Sequence, residues 1–254
     1  MNRLFLALIG TVLWPVMAIA EGDPYKEQTK IAVLLALDVD FQNFLKDGKN
    51  SRQVNVGGVN VTLVEVAGKK IAVAKIGRGP AKAAISAMGC LLAGDNPWYL
   101  FSVTPAAGIC GQQIGEIAVP KKIVDGDEKN KPYETDDEEI KSERLVVDGQ
   151  LRSSDSFISS NETATAFSEE GSCFIDMNAY WVSEVAEMHD AKHVPIRVVS
   201  DDAGSDAGGQ FREFDEKYKG EATDALLDII ANLPVPKRSI LAHENILSEI
   251  NAND

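Results

Sequence analysis

An α/β domain built on a mixed central sheet is the fold class this sequence predicts, and three observations predict it. Short β-branched runs alternate with helix-length segments along nearly the whole chain. No linker rich in Ser, Gly or Pro divides them, and no internal repeat is visible. The chain has 254 residues, 44% of them hydrophobic, enough for one large core or two small ones. The unbroken intermixing favours one.

The elements follow in order. Residues 31–37 form a continuous apolar run ending in Asp38 and Asp40, which reads as a buried strand feeding a loop or helix start. Residues 54–66 and 71–76 alternate β-branched residues, with turns at Gly57-Gly58 and Gly68-Lys69-Lys70. Pro80 opens an Ala-rich helix to about Ala93, and Gly94-Asp95-Asn96-Pro97 ends it. Residues 98–103 and 117–124 read as strands around a Gly-rich turn. The acidic stretch 125–143 reads as an exposed loop and 144–147 as a short strand. Phe174-Ile175 leads into a helix to about His189. Residues 194–199 are an apolar strand, 200–209 a polar loop, and a single long helix is expected from there to about Asn232. Pro234-Val235-Pro236 sets off a last amphipathic helix, 240–250.

The first twenty residues read as an address. Asn2-Arg3 gives a basic start, residues 4–16 are mostly apolar, and Ala18-Ile19-Ala20 puts small residues before Glu21. That is the layout of a secretory signal over 1–20, leaving 21–254 as one domain. The apolar run falls short of the roughly 20 residues a membrane span needs. The expectation is an exported protein, periplasmic in a Gram-negative cell, with no membrane attachment after cleavage. Export permits disulfides. Cys90, Cys110 and Cys173 all lie among apolar or small residues, however, and read as buried free thiols.

Composition narrows the chemistry. A net charge of −14 argues against nucleic acid as a partner, because phosphate contacts need clustered Lys and Arg. The three His stand away from the strand ends where open α/β sheets bind ligands. A Ser-His-Asp triad or a His metal site is therefore poorly supported, and neither metal nor cofactor is called for. Carboxylates do recur at strand ends: Asp38-Val39-Asp40, Asp176-Met177-Asn178 and Ser200-Asp201-Asp202. A fourth end, Thr104-Pro105-Ala106-Ala107-Gly108, is small enough to leave room for a ligand. Acid–base work here falls to carboxylates.

Taken together, these segments resemble the nucleoside phosphorylase/nucleosidase superfamily, nearest to the bacterial 5′-methylthioadenosine/S-adenosylhomocysteine nucleosidases. Residues 31–40 are similar to that family's first strand and its acidic end. Ile76-Gly77-Arg78-Gly79 resembles its Gly-x-Gly turn, and Ile114-Gly115-Glu116-Ile117 its Val-Gly-Asp-Ile. Ser154-Asp155-Ser156-Phe157-Ile158 is similar to Ser-Gly-Asp-Ala-Phe-Ile, and Ile175-Asp176-Met177-Asn178-Ala179 to Val-Glu-Met-Glu-Ala. Ser200-Asp201 closes the last matching strand.

The resemblance implies a three-layer α/β/α fold and cleavage of a purine N-glycosidic bond. Asp201 would be the acid that protonates the leaving purine, with Ser200 orienting it. Asp40 would activate the attacking water. Phe157 would stack on the base and the Ile158 backbone would read its edge. Met177 would lie against the ribose and base, Asn178 would stand at the ribose hydroxyls, Asp176 would belong to the substrate-binding set, Phe211 would line the 5′-substituent pocket, and Ala106, Ala107 and Gly108 would hold water or phosphate. Arg197 would be a neighbour of the site.

Three differences from the family stand out. Asn178 replaces a Glu, Asp40 is one methylene shorter than the usual Glu, and Pro105 removes an amide donor. The resemblance implies a homo-oligomer acting on a nucleoside or purine base. Phosphorolysis, with Arg78 and Arg197 as anion contacts, is the alternative to hydrolysis. A nucleoside- or purine-binding protein without turnover and a structural protein with a closed pocket are the other readings.

Overall fold

The computed structural model describes residues 29–233, apart from 78, 95–96, 128, 136–139, 141, 143–144 and 219. The signal read over 1–20, the helix read over 240–250 and Arg78 lie outside the described residues.

The chain opens with β1 (Thr29–Leu35), α1 (Asp38–Lys46) and the antiparallel ribbon β2 (Lys49–Val56), β3 (Val59–Val66) and β4 (Lys69–Lys75). Helix α2 (Pro80–Ala93) leads to β5 (Tyr99–Gly108). Short strands follow: β6 (Ile117–Val119), β7 (Lys122–Asp125), β8 (Tyr133–Glu134), β9 (Val146–Val147) and β10 (Gln150–Ser153). Then come α3 (Asn161–Glu169), β11 (Ser172–Asp176), α4 (Ala179–Met188), β12 (Lys192–Asp201), α5 (Ala207–Lys217) and α6 (Glu221–Asn232).

Among the described residues all the strands belong to one mixed sheet, which forks at β5. There β1 and β12 pair in parallel with β5, and β11 pairs antiparallel with its end through Phe174–Gly108 and Ile175–Ala107.

Strand alternation sorts the core into two layers. On one face Ile31, Val33 and Leu35 pack with Phe41 and Phe44 of α1, Phe214 of α5 and Leu226 and Ile230 of α6. On the other, Ala32, Leu34 and Ala72 pack with Ala83, Ala87 and Leu91 of α2 and Val182 and Val185 of α4. The small residues at 32, 72, 83 and 87 let α2 lie close on the sheet. This is the three-layer α/β/α arrangement with a mixed central sheet that the sequence predicts.

Several elements differ from expectation. The run 117–124 is two strands, because Pro120 has no N–H to donate to a ladder. The acidic stretch 125–143 is not wholly an exposed loop. It contains β8, and Thr135 and Ile140 are buried, with the Thr135 hydroxyl donating to the Pro120 carbonyl at 2.6 Å. The segment 150–169, where no element was expected, forms β10 and α3. Ser160 caps α3 by accepting from the Thr163 amide.

The single helix expected to Asn232 is two helices. Gly220 adopts a φ of 93° at their junction, a left-handed conformation that glycine takes without steric cost. The thiols also differ. Cys110 and Cys173 form a disulfide that ties the end of β5 to β11, while Cys90 alone is free and buried. The two bonded Cys are 63 positions apart in sequence, and only the antiparallel β5–β11 pairing makes them neighbours.

Candidate active site

A cavity of about 530 Å³ opens where the carboxyl ends of β1, β4, β5, β11 and β12 meet. Loop 156–158 and the first turns of α5 complete its walls. It gathers Ala106, Ala107, Phe157, Ile158, Asp176, Met177, Asn178, Ser200, Asp201 and Phe211, nearly the whole set read from the sequence. Its size suits a small molecule.

Asp201 stands on one wall, and the local backbone puts it there. The β12–β5 register shifts between Val199 and Asp201, a bulge that re-aims the strand's last side chain. Asp201 is 2% exposed. The Ser200 hydroxyl donates to its Oδ2 at 2.7 Å and the Ala203 amide to its Oδ1 at 3.0 Å. Burial raises its pKa above the ordinary 3.8, and the two donors only partly offset this. A carboxyl so placed can carry a proton closer to neutral pH.

The turn Asp176-Met177-Asn178 also lines the cavity. Asp176 faces the cavity, but its carboxylate is already engaged. Arg197, fully buried on β12, donates from Nε and Nη2 to Asp176 Oδ2 at 3.0 and 2.8 Å. Ser153 donates to Oδ1 at 2.6 Å, and the amides of Asn178 and Ala179 also point at this carboxylate. Asp176 therefore fixes the turn that presents Met177 and Asn178. Arg197 Nη1 is likewise engaged, with the carbonyls of Ser102 and Ile196. Next to it His193 is held between the Ser102 and Ser183 hydroxyls, and burial lowers its pKa well below the usual 6.5.

Two expected residues lie off the cavity wall. Gly108 ends β5 just beyond it, where an added Cβ would meet Gln112 and Val199 at 2.9 Å. Asp40 is in the first turn of α1, where it is 4% exposed. It faces a separate compartment of about 10 Å³, walled by Leu37, Thr104, Pro105, Tyr218 and Gly220 among others. The Thr223 hydroxyl donates to Asp40 Oδ1 at 2.8 Å, and the Gly220 backbone also hydrogen-bonds to it. Burial is the main cause raising its pKa, and Asp215 adds to it. Leu37, Thr104 and Pro105 form the partition, since they line both spaces.

Residues to which the sequence assigned no role in binding also reach the cavity. Leu37 and Ile76 add apolar wall, and Arg212 follows Phe211 on α5. Their order along strand ends was the available signal, but nothing in an isolated Leu, Ile or Arg distinguishes lining from core or surface. Two buried polar atoms on this wall have no hydrogen-bond partner, Thr104 Oγ1 and Asn178 Oδ1. Buried polar groups are nearly always paired, so both are open to a water or a bound molecule.

Solved structures of similar fold exist. A 5′-methylthioadenosine/S-adenosylhomocysteine nucleosidase from Neisseria meningitidis, in complex with methylthio-immucillin-A, superposes with a TM-score of 0.74 at 19% identity, over 81% of this chain and 100% of that one. A mutant nucleosidase of Helicobacter pylori with 5′-methylthioadenosine in its active site gives 0.73 at 19%, over 81% and 99%. The futalosine hydrolase of Helicobacter pylori gives 0.73 at 20%, over 82% and 99%. No curated protein sequence matches. The phosphorylase superfamily model matches residues 30–231, from β1 to α6 and across every wall of the cavity, so the chain belongs to the phosphorylase superfamily.

Proposed function

We propose that the protein is an exported purine nucleosidase, using water to cleave the N-glycosidic bond of a nucleoside or 5′-modified nucleoside. The observation that carries this reading is Asp201, a buried carboxyl with raised proton affinity on the wall of a nucleoside-sized cavity. Breaking the bond between C1′ and N9 sends an electron pair into the purine. Asp201 gives its proton to N7, so the base departs neutral. Phe157, 51% exposed beside the cavity, offers a face for the base to stack on. Asn178 Oδ1 can accept from a sugar hydroxyl.

Water is favoured over phosphate as acceptor. A phosphate needs cations or free amides around it. Arg197 is committed to Asp176, and Pro105 has no N–H. Arg197 does not line the cavity, and among the described lining residues Arg212 is the one cation. Separation of Asp40 from the main cavity favours a second reading, a nucleoside-binding protein without turnover.

Export is proposed from the leader-like first twenty residues together with the Cys110–Cys173 disulfide, a bond that persists in oxidising compartments. A homo-oligomer is proposed from exposed apolar residues on two helices packed together, Ile85 and Leu92 on α2 and Met188 on α4.

Incubating the protein with inosine, adenosine and methylthioadenosine tests the reading. Free base in phosphate-free buffer at a rate unchanged by phosphate is expected. Release that requires phosphate would make it a phosphorylase, and nucleoside recovered intact despite a thermal shift would make it a binder. Sedimentation of the same sample reads its assembly.

A further inference from the structure

Thr104 stands where the two compartments meet. It lies on β5, is 2% exposed and lines both the main cavity and the Asp40 compartment. Its hydroxyl is buried and has no partner among the described residues. Next to it in the strand, Pro105 has no N–H and Ala106 and Ala107 carry no polar side-chain atom. The compartment behind it, at about 10 Å³, is the size that admits a single water. Asp40 faces that compartment with its Oδ1 held by Thr223.

We propose that Thr104 is a catalytic residue that holds the attacking water and passes its proton through the small compartment to Asp40. This rests on the nucleosidase reading of the same cavity. The attacking water forms the C1′–O bond as the C1′–N9 bond breaks, and the electron pair leaves on the purine, protonated by Asp201. The proton lost by the attacking water moves to Thr104 Oγ. The Thr104 hydroxyl proton moves to the water in the small compartment, which gives one of its own to the Asp40 carboxylate. Thr104 and the relay water end as they began, and Asp40 ends protonated. Burial, which raises the Asp40 pKa, suits it to receive that proton. The relay accounts for how an aspartate off the main cavity wall can still serve the chemistry there.

Thr104→Val and Thr104→Ser distinguish this role from packing. Val keeps the β-branched shape and removes only the hydroxyl, while Ser keeps the hydroxyl and removes a methyl. With inosine or adenosine as substrate, T104V is expected to lower kcat by roughly 100-fold, the lower end of the range for proton-transfer catalysis. Its nucleoside affinity by calorimetry should stay within about threefold, and its Tm should be equal or higher, since no hydrogen bond is lost. T104S should keep at least about a third of kcat, because the proton path is intact. Combined with Asp40→Asn, T104V should cost little beyond the worse single variant, because both interrupt one path.

An active wild type with an equally active T104V would overturn the relay and leave the nucleosidase reading standing. So would a T104S that falls as far as T104V, or a T104V loss confined to affinity. A wild type that binds nucleoside and releases no base from any of them would overturn the nucleosidase reading, and the relay with it.

Discussion

Asp201 and Asp40 are both buried aspartates with raised proton affinity, yet one looks into the main cavity and the other into a chamber behind it. In the proposed reaction they take opposite roles, proton donor and proton acceptor. If Asp201 acts by protonating N7, a base that already carries a positive charge at N7 does not need it. Asp201→Asn should therefore lose about 100-fold or more in kcat/KM on guanosine, in the range of general acid catalysis. On 7-methylguanosine the same variant should lie within about tenfold of wild type. Equal losses on both substrates would count against the acid role. At this scale the sequence was informative where a residue type sits in an ordered motif. Phe157, Met177 and Asp201 each belong to such a motif, and all three line the cavity. It was less informative about engagement. Nothing in the letters at 176 and 197 says that this carboxylate is neutralised by that guanidinium, because the pair spans two strands that only the folded sheet brings together.

Among elements, the junction of β5 with β11 bears most on the site. Both strands contribute to the cavity wall, and few backbone pairs join them, so the Cys110–Cys173 bond supplements a short ladder. The link closes a loop with a sequence separation of 63. In the chain-entropy account a loop of that length stabilises by about 4 kcal/mol through the unfolded state. Reduction by a dithiol, or the paired change Cys110→Ser with Cys173→Ser, should lower Tm by several degrees, read by calorimetry against a Cys90→Ser control that leaves the bond intact. No change on reduction would show that the ladder suffices alone. A continuous apolar run made β1 legible, alternation made β3 and β4 legible, and Pro80 with its alanines made α2 legible. The break at Gly220 was not, because an isolated Gly in an amphipathic stretch is compatible with a continuous helix. What marks the position is visible in the fold alone: an added Cβ would meet Asn43 Nδ2 at 2.7 Å, and the Gly220 backbone hydrogen-bonds to Asp40.

The whole molecule combines a net charge of −14 with buried groups whose desolvation opposes their charged forms, three of them being Asp40, Asp201 and His193. Two are carboxyls raised above 3.8 in the fold. Such a group is protonated in both states below that value and adds no penalty there. Above it the unfolded chain ionises first, so stability falls as pH rises, until the folded group ionises too. His193 has the opposite sign. Its folded pKa lies below 6.5, so the stability of its neutral burial is present above 6.5 and declines as pH falls beneath it. Asp201→Asn and Asp40→Asn should therefore gain on wild type in denaturant midpoint as pH rises from about 4 towards neutrality, with the gain vanishing near 4. A gain independent of pH would assign it to packing.

The bond between Cys110 and Cys173 has a further consequence in the exported setting proposed for this protein, where proteases are at hand. The residues between the two sulfurs include β6 to β10 and α3, with the loops that join them. A single backbone cut in that span releases no fragment, because its two ends stay joined through sulfur. Damage there severs the chain without dismantling the molecule, and the cavity wall that β5 and β11 share remains tethered at its edge.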